Sequence, residues 1–368
     1  MVRSLWGTTP IINIIYNSRA ERLLGIESDT LVFKTYHITD HFTYNLSHWC
    51  RNKFLRVLMS FPLLVWALLR YDIFHFFFDQ GILPSRNWSG INPIELMLLR
   101  FFGKKLFIYP YGADVRTRGT TMQLGKYHCC LHCPDVGRAC VCDEAKHARQ
   151  VKRIQLYAAE IFSMGDMTEY TPCSNNQFFF WCIDTSKISY EGARNENRGN
   201  VKIVHAPNHR HFKGTDYLIK TVNDLKKEGL DIELVLVERM SNDQALEIYR
   251  DADIIAEQFL IGWHGFTAIE AMALGKPVIS FIRKAEYLLH PEECPIVSSN
   301  PDHLEETIRD LVLHPLKRLE LGKQGRAYVE KYFSLEAFSN RLRALYEKHG
   351  ILEKQGLTKS EELVMCGK

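Results

Sequence analysis

The residues best suited to chemistry lie in one stretch of the second half of the chain. It reads Glu257-Gln-Phe-Leu-Ile-Gly-Trp-His-Gly-Phe-Thr-Ala-Ile-Glu-Ala-Met-Ala-Leu-Gly-Lys-Pro-Val-Ile279. A glycine turn opens onto a short helix that carries one acid, Glu270, among small and apolar neighbours. Gly-Lys-Pro stops the helix, and an apolar strand begins. The pattern predicts a helix N-terminus facing a cleft, with a carboxylate one turn further in. Backbone N–H groups and the helix dipole suit phosphate, and the carboxylate suits ribose hydroxyls. A nucleoside diphosphate meets both demands. A packing helix in an ordinary α/β domain is the plain alternative.

Glu270-Ala-Met-Ala-Leu-Gly-Lys-Pro-Val-Ile279 resembles the donor-site motif of the GT-B glycosyltransferases, in particular the retaining group known as family 4. That resemblance implies two Rossmann-like domains facing a central cleft and a nucleotide-sugar donor held mainly by the second. It implies retention of anomeric configuration without a catalytic metal. Glu270 would hold ribose, and Gly262 to Gly265 would supply backbone donors. The family places another acid eight residues before Glu270, where this chain has Gly262; Glu257 is a nearby substitute. His264, in the glycine turn, could meet the donor sugar or phosphate. The family also places an arginine and a lysine in the loop after the first strand of this domain. Here that loop is Pro207-Asn-His-Arg-His-Phe-Lys-Gly214, with Lys213 in place and Arg210 as the nearby cation. A departing nucleoside diphosphate gains negative charge, which fixed cations stabilise. In the first domain, Tyr109-Pro-Tyr-Gly-Ala-Asp-Val-Arg116 is similar to an acceptor-side loop. Asp114 and Arg116 there could orient an acceptor hydroxyl or could form an internal ion pair. The turn Gly7-Thr-Thr-Pro10 is a third candidate for acceptor contacts.

Five of ten cysteines crowd into Cys129-Cys-Leu-His-Cys-Pro-Asp-Val-Gly-Arg-Ala-Cys-Val-Cys142. Cys130 and Cys133 form C-x-x-C; Cys140 and Cys142 form C-x-C. Four thiolates from two short turns could close a structural zinc site. Cys129, His128 and His132 are alternative ligands, and free thiols or disulfides are alternative states. Asp251-Ala-Asp253 resembles a metal-binding D-x-D, but it sits where a helix hands over to a strand and reads as structural.

The elements that must position these residues alternate. Strands are expected at Val2–Trp6, Thr30–Thr35, Ile73–Phe78, Leu106–Tyr109 and Glu160–Met164. Helices are expected at Tyr16–Leu24, Pro93–Phe102 and Glu144–Ala158. A polar stretch, Glu191–Asn200, reads as a linker. The cycle restarts with strands at Val201–His205, Ile232–Val237 and Asp253–Ala256 and helices at Thr215–Lys227 and Gln244–Arg250. Strands alternating with helices imply parallel sheets with ligands at their carboxyl ends. The resulting domains are 1–190, with an insert at 119–143, and 201–333. A helix over 334–349, capped by Ser334, crosses back to the first domain, and a tail covers 350–368.

At 368 residues, with 46% hydrophobic and 24% charged content, the chain suits a two-domain globular protein. Its net charge of +3 gives no reason to expect nucleic acid. No secretory signal is visible at the start, and a cytoplasmic location, peripheral on the membrane's cytoplasmic face, is the expectation. Val57–Leu69 is apolar but too short to span a bilayer, and Pro62 interrupts it. It reads as a core helix or one lying on a membrane surface. Eight basic residues against three acids over residues 51–105 suit the inner membrane face. The combined expectation is sugar transfer to a lipid-linked or polysaccharide acceptor in cell-envelope glycan synthesis. A nucleotide-sugar isomerase of the 2-epimerase type and an inactive nucleotide-binding subunit are the alternatives.

Overall fold

The computed structural model describes residues 2–85, 90–193 and 200–353. Most of the expected linker and the tail beyond residue 353 lie outside the described residues. Two parallel sheets carry the molecule. The first contains β1 (Arg3–Thr8), β2 (Glu27–Val32), β3 (Tyr44–Asn45), β4 (Ile73–Phe77), β5 (Lys105–Tyr109) and β6 (Glu160–Ile161), in the order β3-β2-β1-β4-β5-β6. The second contains β7 (Val201–His205), β8 (Ile232–Leu236), β9 (Ile254–Ala256), β10 (Val278–Ser280) and β11 (Val297–Ser298), in the order β11-β10-β9-β7-β8. Each sheet reverses direction beside its first strand, between β1 and β4 and between β7 and β9. Such switch points leave a crevice at the strands' carboxyl ends.

The first-half helices are α1 (Asn13–Arg22), α2 (Lys53–Arg70), α3 (Pro93–Phe101), α4 (Arg118–Met122) and α5 (Glu144–Gln155). The second half supplies α6 (Arg210–Lys213), α7 (Thr215–Lys227), α8 (Asn242–Arg250), α9 (Phe266–Ala273), α10 (Leu304–Leu313), α11 (Pro315–Phe333) and α12 (Leu335–Lys348). Local signals set several boundaries. Asn52 and Asn92 cap α2 and α3 by accepting from the backbone N–H two residues on. Ser241 and Gln244 form a capping box on α8. Ser334 accepts from Ala337 N–H at 3.1 Å, so the crossing helix starts where its cap predicts.

The crossing helix α12 packs against α1, and its Tyr346 enters a sealed polar cluster under the first sheet. Glu21 there accepts from Trp6 Nε1 at 2.7 Å, from Ser28 Oγ at 2.6 Å, and from Ser4 and Tyr346 hydroxyls. His75 bridges Tyr346 and Tyr109, each at 2.9 Å, and stacks on Trp6. His75 is therefore a satisfied core histidine. This network fixes the chain end to the first sheet through groups that have no water to fall back on. Among the described residues no helix is long and apolar enough to cross a membrane.

Candidate active site

The donor motif folds as expected around α9. Gly265 caps that helix in extended conformation, and its N–H points at the carboxylate of Glu257, 2.9 and 2.8 Å from the two oxygens. Lys213 Nζ lies 2.8 Å from Oε1 of the same carboxylate, and Ser280 Oγ donates to Oε2 at 3.2 Å. Lys213 follows β7, Glu257 follows β9 and Ser280 ends β10. All three therefore stand at the switch point of the second sheet. The pair is nearly dry, with side chains 12% and 1% exposed. A Cβ on Gly265 would stand 2.4 Å from Glu257 Oε1 and 3.2 Å from Lys213 Nζ. Only a bare Cα lets an anion reach this helix end while the ammonium sits alongside.

Glu270 is buried one turn into α9 and accepts from Asn242 Nδ2 at 2.6 Å. Burial pushes its carboxyl up to about 7, the Asn242 hydrogen bond opposes this, and the charges of Glu257 and Lys213 act on it in opposite senses. Lys213 thus lies close enough to Glu270 for its charge to act on that carboxyl. His264 is buried, and its Nε2 has no hydrogen-bond partner. Burial holds it below the usual imidazole range, and its Nδ1 faces the Gly265 carbonyl at 3.2 Å, so that in the neutral ring Nε2 is an acceptor. Trp181 stacks on Trp263 at 4.6 Å and meets Phe266 edge-on, and Tyr16 of α1 stacks on Phe266 at 5.9 Å. A cavity of about 680 Å³ opens between Tyr16, the loop Thr35–His41 and α8. Its wall includes Asn242, the partner of Glu270.

Other expected residues fall elsewhere. Arg210 is exposed and forks onto Glu238 at 2.8 and 2.6 Å, so it does not join Lys213. Gly262 contributes space rather than a donor. With φ of +91° it lies under the Arg283 guanidinium, where a Cβ would be 2.3 Å from Nη1. Arg283 donates to the carbonyls of Ile261 and Tyr127, both at 3.0 Å. A cation thus covers the position at which the resemblance expects an acid. Sequence reading missed it; the only signal was a glycine at an acid's place followed by a basic residue past the next strand.

Asp114 and Arg116 do not pair with each other. Asp114 accepts from the backbone N–H groups of Tyr111 and Gly112, each at 2.9 Å, and of Phe78 at 3.2 Å. Arg116 forks onto Asp166 at 2.9 Å twice. Asp114 thereby holds its own loop in shape, and Arg116 is tied to Asp166. Asp79, two residues past β4, is half-buried at the same end. Thr9 Oγ1 donates to it at 2.6 Å and Tyr111 OH at 3.4 Å. Burial lifts its carboxyl to about 6. Thr9 comes from the Gly7–Pro10 turn, so two of the expected first-domain loops meet at a residue that sequence reading passed over. An acid ending an all-apolar strand was the available clue.

The insert bridges the two halves. His211 Nε2 donates to the Cys129 carbonyl at 3.0 Å, His209 meets Asp135 at 3.0 Å, and Lys126 pairs with Asp302 at 2.7 Å. None of the nine described cysteines is in a disulfide. Cys129 donates to Cys130 and holds that thiol down to about 6, whereas burial first, and neighbouring thiols second to Arg116's opposing charge, lift Cys140 to about 12. No three of Cys130, Cys133, Cys140 and Cys142 bring their sulfurs mutually within 4.8 Å. Among the described residues only His290, Glu292 and Glu293, all exposed, gather that closely.

Comparison with solved structures decides the architecture. Sucrose-phosphate synthase from Thermosynechococcus elongatus superposes with a TM-score of 0.63 at 14% identity, covering 95% of this chain and 99% of that one. HepE from Anabaena, solved with UDP-glucose, gives 0.56 at 10% identity, covering 95% and 100%. The chain has the GT-B fold. No protein-family model matches it. Among curated proteins, the α-1,3/1,6-mannosyltransferase ALG2 of Rhizomucor pusillus is 34% identical over 83 residues. That match spans 22% of this chain and 18% of the mannosyltransferase. The Lys213–Glu257–Gly265 cradle stands at carboxyl ends of the second sheet, and Asp79 just past β4 of the first.

Proposed function

We propose that this GT-B protein is a retaining glycosyltransferase that moves a sugar from a nucleotide-sugar donor to a lipid-linked or polysaccharide acceptor of the cell envelope. One observation carries the reading: a nearly dry lysine and a helix-end N–H meet at one carboxylate, with the buried acid Glu270 one turn further along the same helix. The carboxylate of Glu257 now satisfies the demands that a diphosphate oxygen would satisfy. It holds Lys213 Nζ at 2.8 Å in a nearly dry site, where attraction is strongest. Lys213, the Gly265 N–H and Arg283 would take up the charge of the departing diphosphate. Glu270, in its ionised form, would accept from ribose hydroxyls. The aromatic floor of Trp181, Trp263 and Phe266 suits the apolar face of a sugar, with His264 Nε2 as its polar contact. Asp79, with Thr9, would orient the acceptor hydroxyl and receive its proton. The named relatives support this reading: HepE was solved with UDP-glucose, and the ALG2 match is a mannosyltransferase.

The test is a melting-temperature screen against UDP, UDP-glucose and other nucleotide sugars, followed by a transfer assay with the donor that binds. No shift with any of them would sink the assignment. The glycine at 262 favours one other reading, a nucleotide-binding partner subunit, which predicts a shift with nucleotide and no turnover. Release of an epimerised sugar nucleotide without any acceptor would point to an isomerase.

We also infer that zinc binds Cys130, Cys133, Cys140 and Cys142. Their spacing and their clustering on an insert with little apolar core support this. Uptake would have to draw the sulfurs together. About one zinc per chain by elemental analysis, lost in a Cys130→Ser/Cys140→Ser variant, is expected; a metal-free, fully folded protein would refute it.

A further inference from the structure

Helices α2 and α3 are built inside out. In α2 the inward stripe runs Arg56, Ser60, Leu64, Ala67 and Leu68. A cation and a hydroxyl thus face the sheet. Phe54, Val57, Leu58, Phe61, Val65 and Leu69 face outward, with Phe54 72% and Leu69 81% exposed. In α3 the acid Glu95 is sealed inside while Ile94, Met97 and Phe101 stand outside, Phe101 at 81%. The buried polar groups are satisfied. Arg56 Nη1 donates to the Ile82 carbonyl at 2.8 Å and lies over the Phe33 ring, and Glu95 accepts from Ile82 and Leu83 N–H at 2.8 and 3.0 Å. Both helices therefore grip the same turn. As successive right-handed crossovers they share one side of the first sheet, opposite α1 and α12.

A soluble helix puts its apolar stripe against the core and its charges in water. Here the reverse arrangement leaves two exposed apolar helix faces on one side of the sheet, a kind of surface that monomeric proteins rarely expose. Cations border it: Arg51 and Lys53 at the start of α2, Arg70 at its end, and Arg100, Lys104 and Lys105 at the end of α3. Segments 53–70 and 93–105 hold one acid between them, the buried Glu95. An apolar face ringed by cations matches an anionic lipid surface, in which rings and aliphatic chains enter the acyl boundary and cations meet headgroups. A second copy of the chain would set like charges against each other. We propose that the outer face of α2 and α3 docks on an anionic membrane, with α2 lying in its plane. The proposal stands apart from the glycosyltransferase reading, since it uses none of the cleft residues.

The experiment is flotation of the full-length chain with vesicles of phosphatidylcholine alone or mixed with phosphatidylglycerol. The chain is expected to float with the mixed vesicles, to float far less with phosphatidylcholine alone, and to be released by salt. Phe61→Asp/Leu69→Asp is expected to lower partitioning by about tenfold or more, because two large apolar groups no longer leave water. Its melting temperature should not fall, since neither side chain is buried in the fold. Arg51→Glu/Lys53→Glu should weaken binding to the mixed vesicles alone. The proposal is overturned if the wild type floats with neither vesicle or if the Asp variant floats as well as the wild type. It is equally overturned if sedimentation shows a wild-type dimer that the Asp variant dissolves. Melting shifts with UDP read the cleft separately, so loss of one property leaves the other measurable.

Discussion

Replacing Glu270 by Gln should make the protein more stable and a worse nucleotide binder. The side chain is buried and accepts from Asn242, a bond that a Gln carbonyl can keep. Its carboxyl is lifted from 4.5 to about 7, mainly by burial. In the unfolded chain the group ionises near its ordinary value. Below about pH 4.5 both states hold the proton and the acid costs nothing relative to Gln. From there to about pH 7 the unfolded state gains from ionisation and the folded state does not, so stability falls with rising pH. Above about 7 both ionise and the loss levels off. At 1.36 kcal/mol per pH unit, the gap corresponds to about 3 kcal/mol. Glu270→Gln removes that loss. For a domain of this size, melting near pH 8.5 should rise by roughly 6–12 °C, with the two curves converging toward pH 4.5. The same change removes a charged acceptor from the proposed ribose site, where each such hydrogen bond contributes about 1.5–3 kcal/mol. Affinity for UDP, measured by calorimetry, should drop by about tenfold or more. A variant no more stable than wild type at pH 8.5, or a stability difference independent of pH, would refute the burial argument. Unchanged UDP affinity would refute the role in binding.

Three further outcomes follow from the same geometry. Lys213→Ala leaves the Glu257 carboxylate dry without its cation, so unfolding should become easier by about 3–5 kcal/mol in denaturant titration, with diphosphate binding abolished. Gly265→Ala puts a methyl group against Glu257 and Lys213; a cost of about 1–3 kcal/mol and weakened donor binding are expected from melting and calorimetry. Tyr346→Phe strips a partner from Glu21 and from His75, far from the cleft. It should cost about 1–3 kcal/mol in stability and leave UDP affinity per folded molecule unchanged.

Much of the framework was legible because its causes are local. The uninterrupted apolar run at Ile73–Phe78 could only be a buried strand, and Ser334 marked the start of the crossing helix. The glycine turn announced the start of α9, with Glu270 one turn in. The partners were not legible, because side-chain alliances are settled by distance in space. Arg210 and Lys213 are neighbours in the chain and equally cationic. A short helix turns one out to Glu238 and the other in to Glu257. Asp114 accepts from three backbone N–H groups around its own loop, whereas Asp79, four residues past a core histidine, is reached by Thr9 and Tyr111. The apolar run in α2 allowed either a core helix or a surface one. Only the packing of Arg56 against Ile82 showed which side faces out.

The order of residues by itself determined two α/β halves, their parallel strands and the place where phosphate could meet a helix, since periodicity and backbone N–H groups are properties of contiguous chain. The tertiary structure decided which charges face one another, because the energy of a carboxylate depends on how dry its surroundings are and what cation stands beside it. Folding brings both to Glu257 from three separate strand ends.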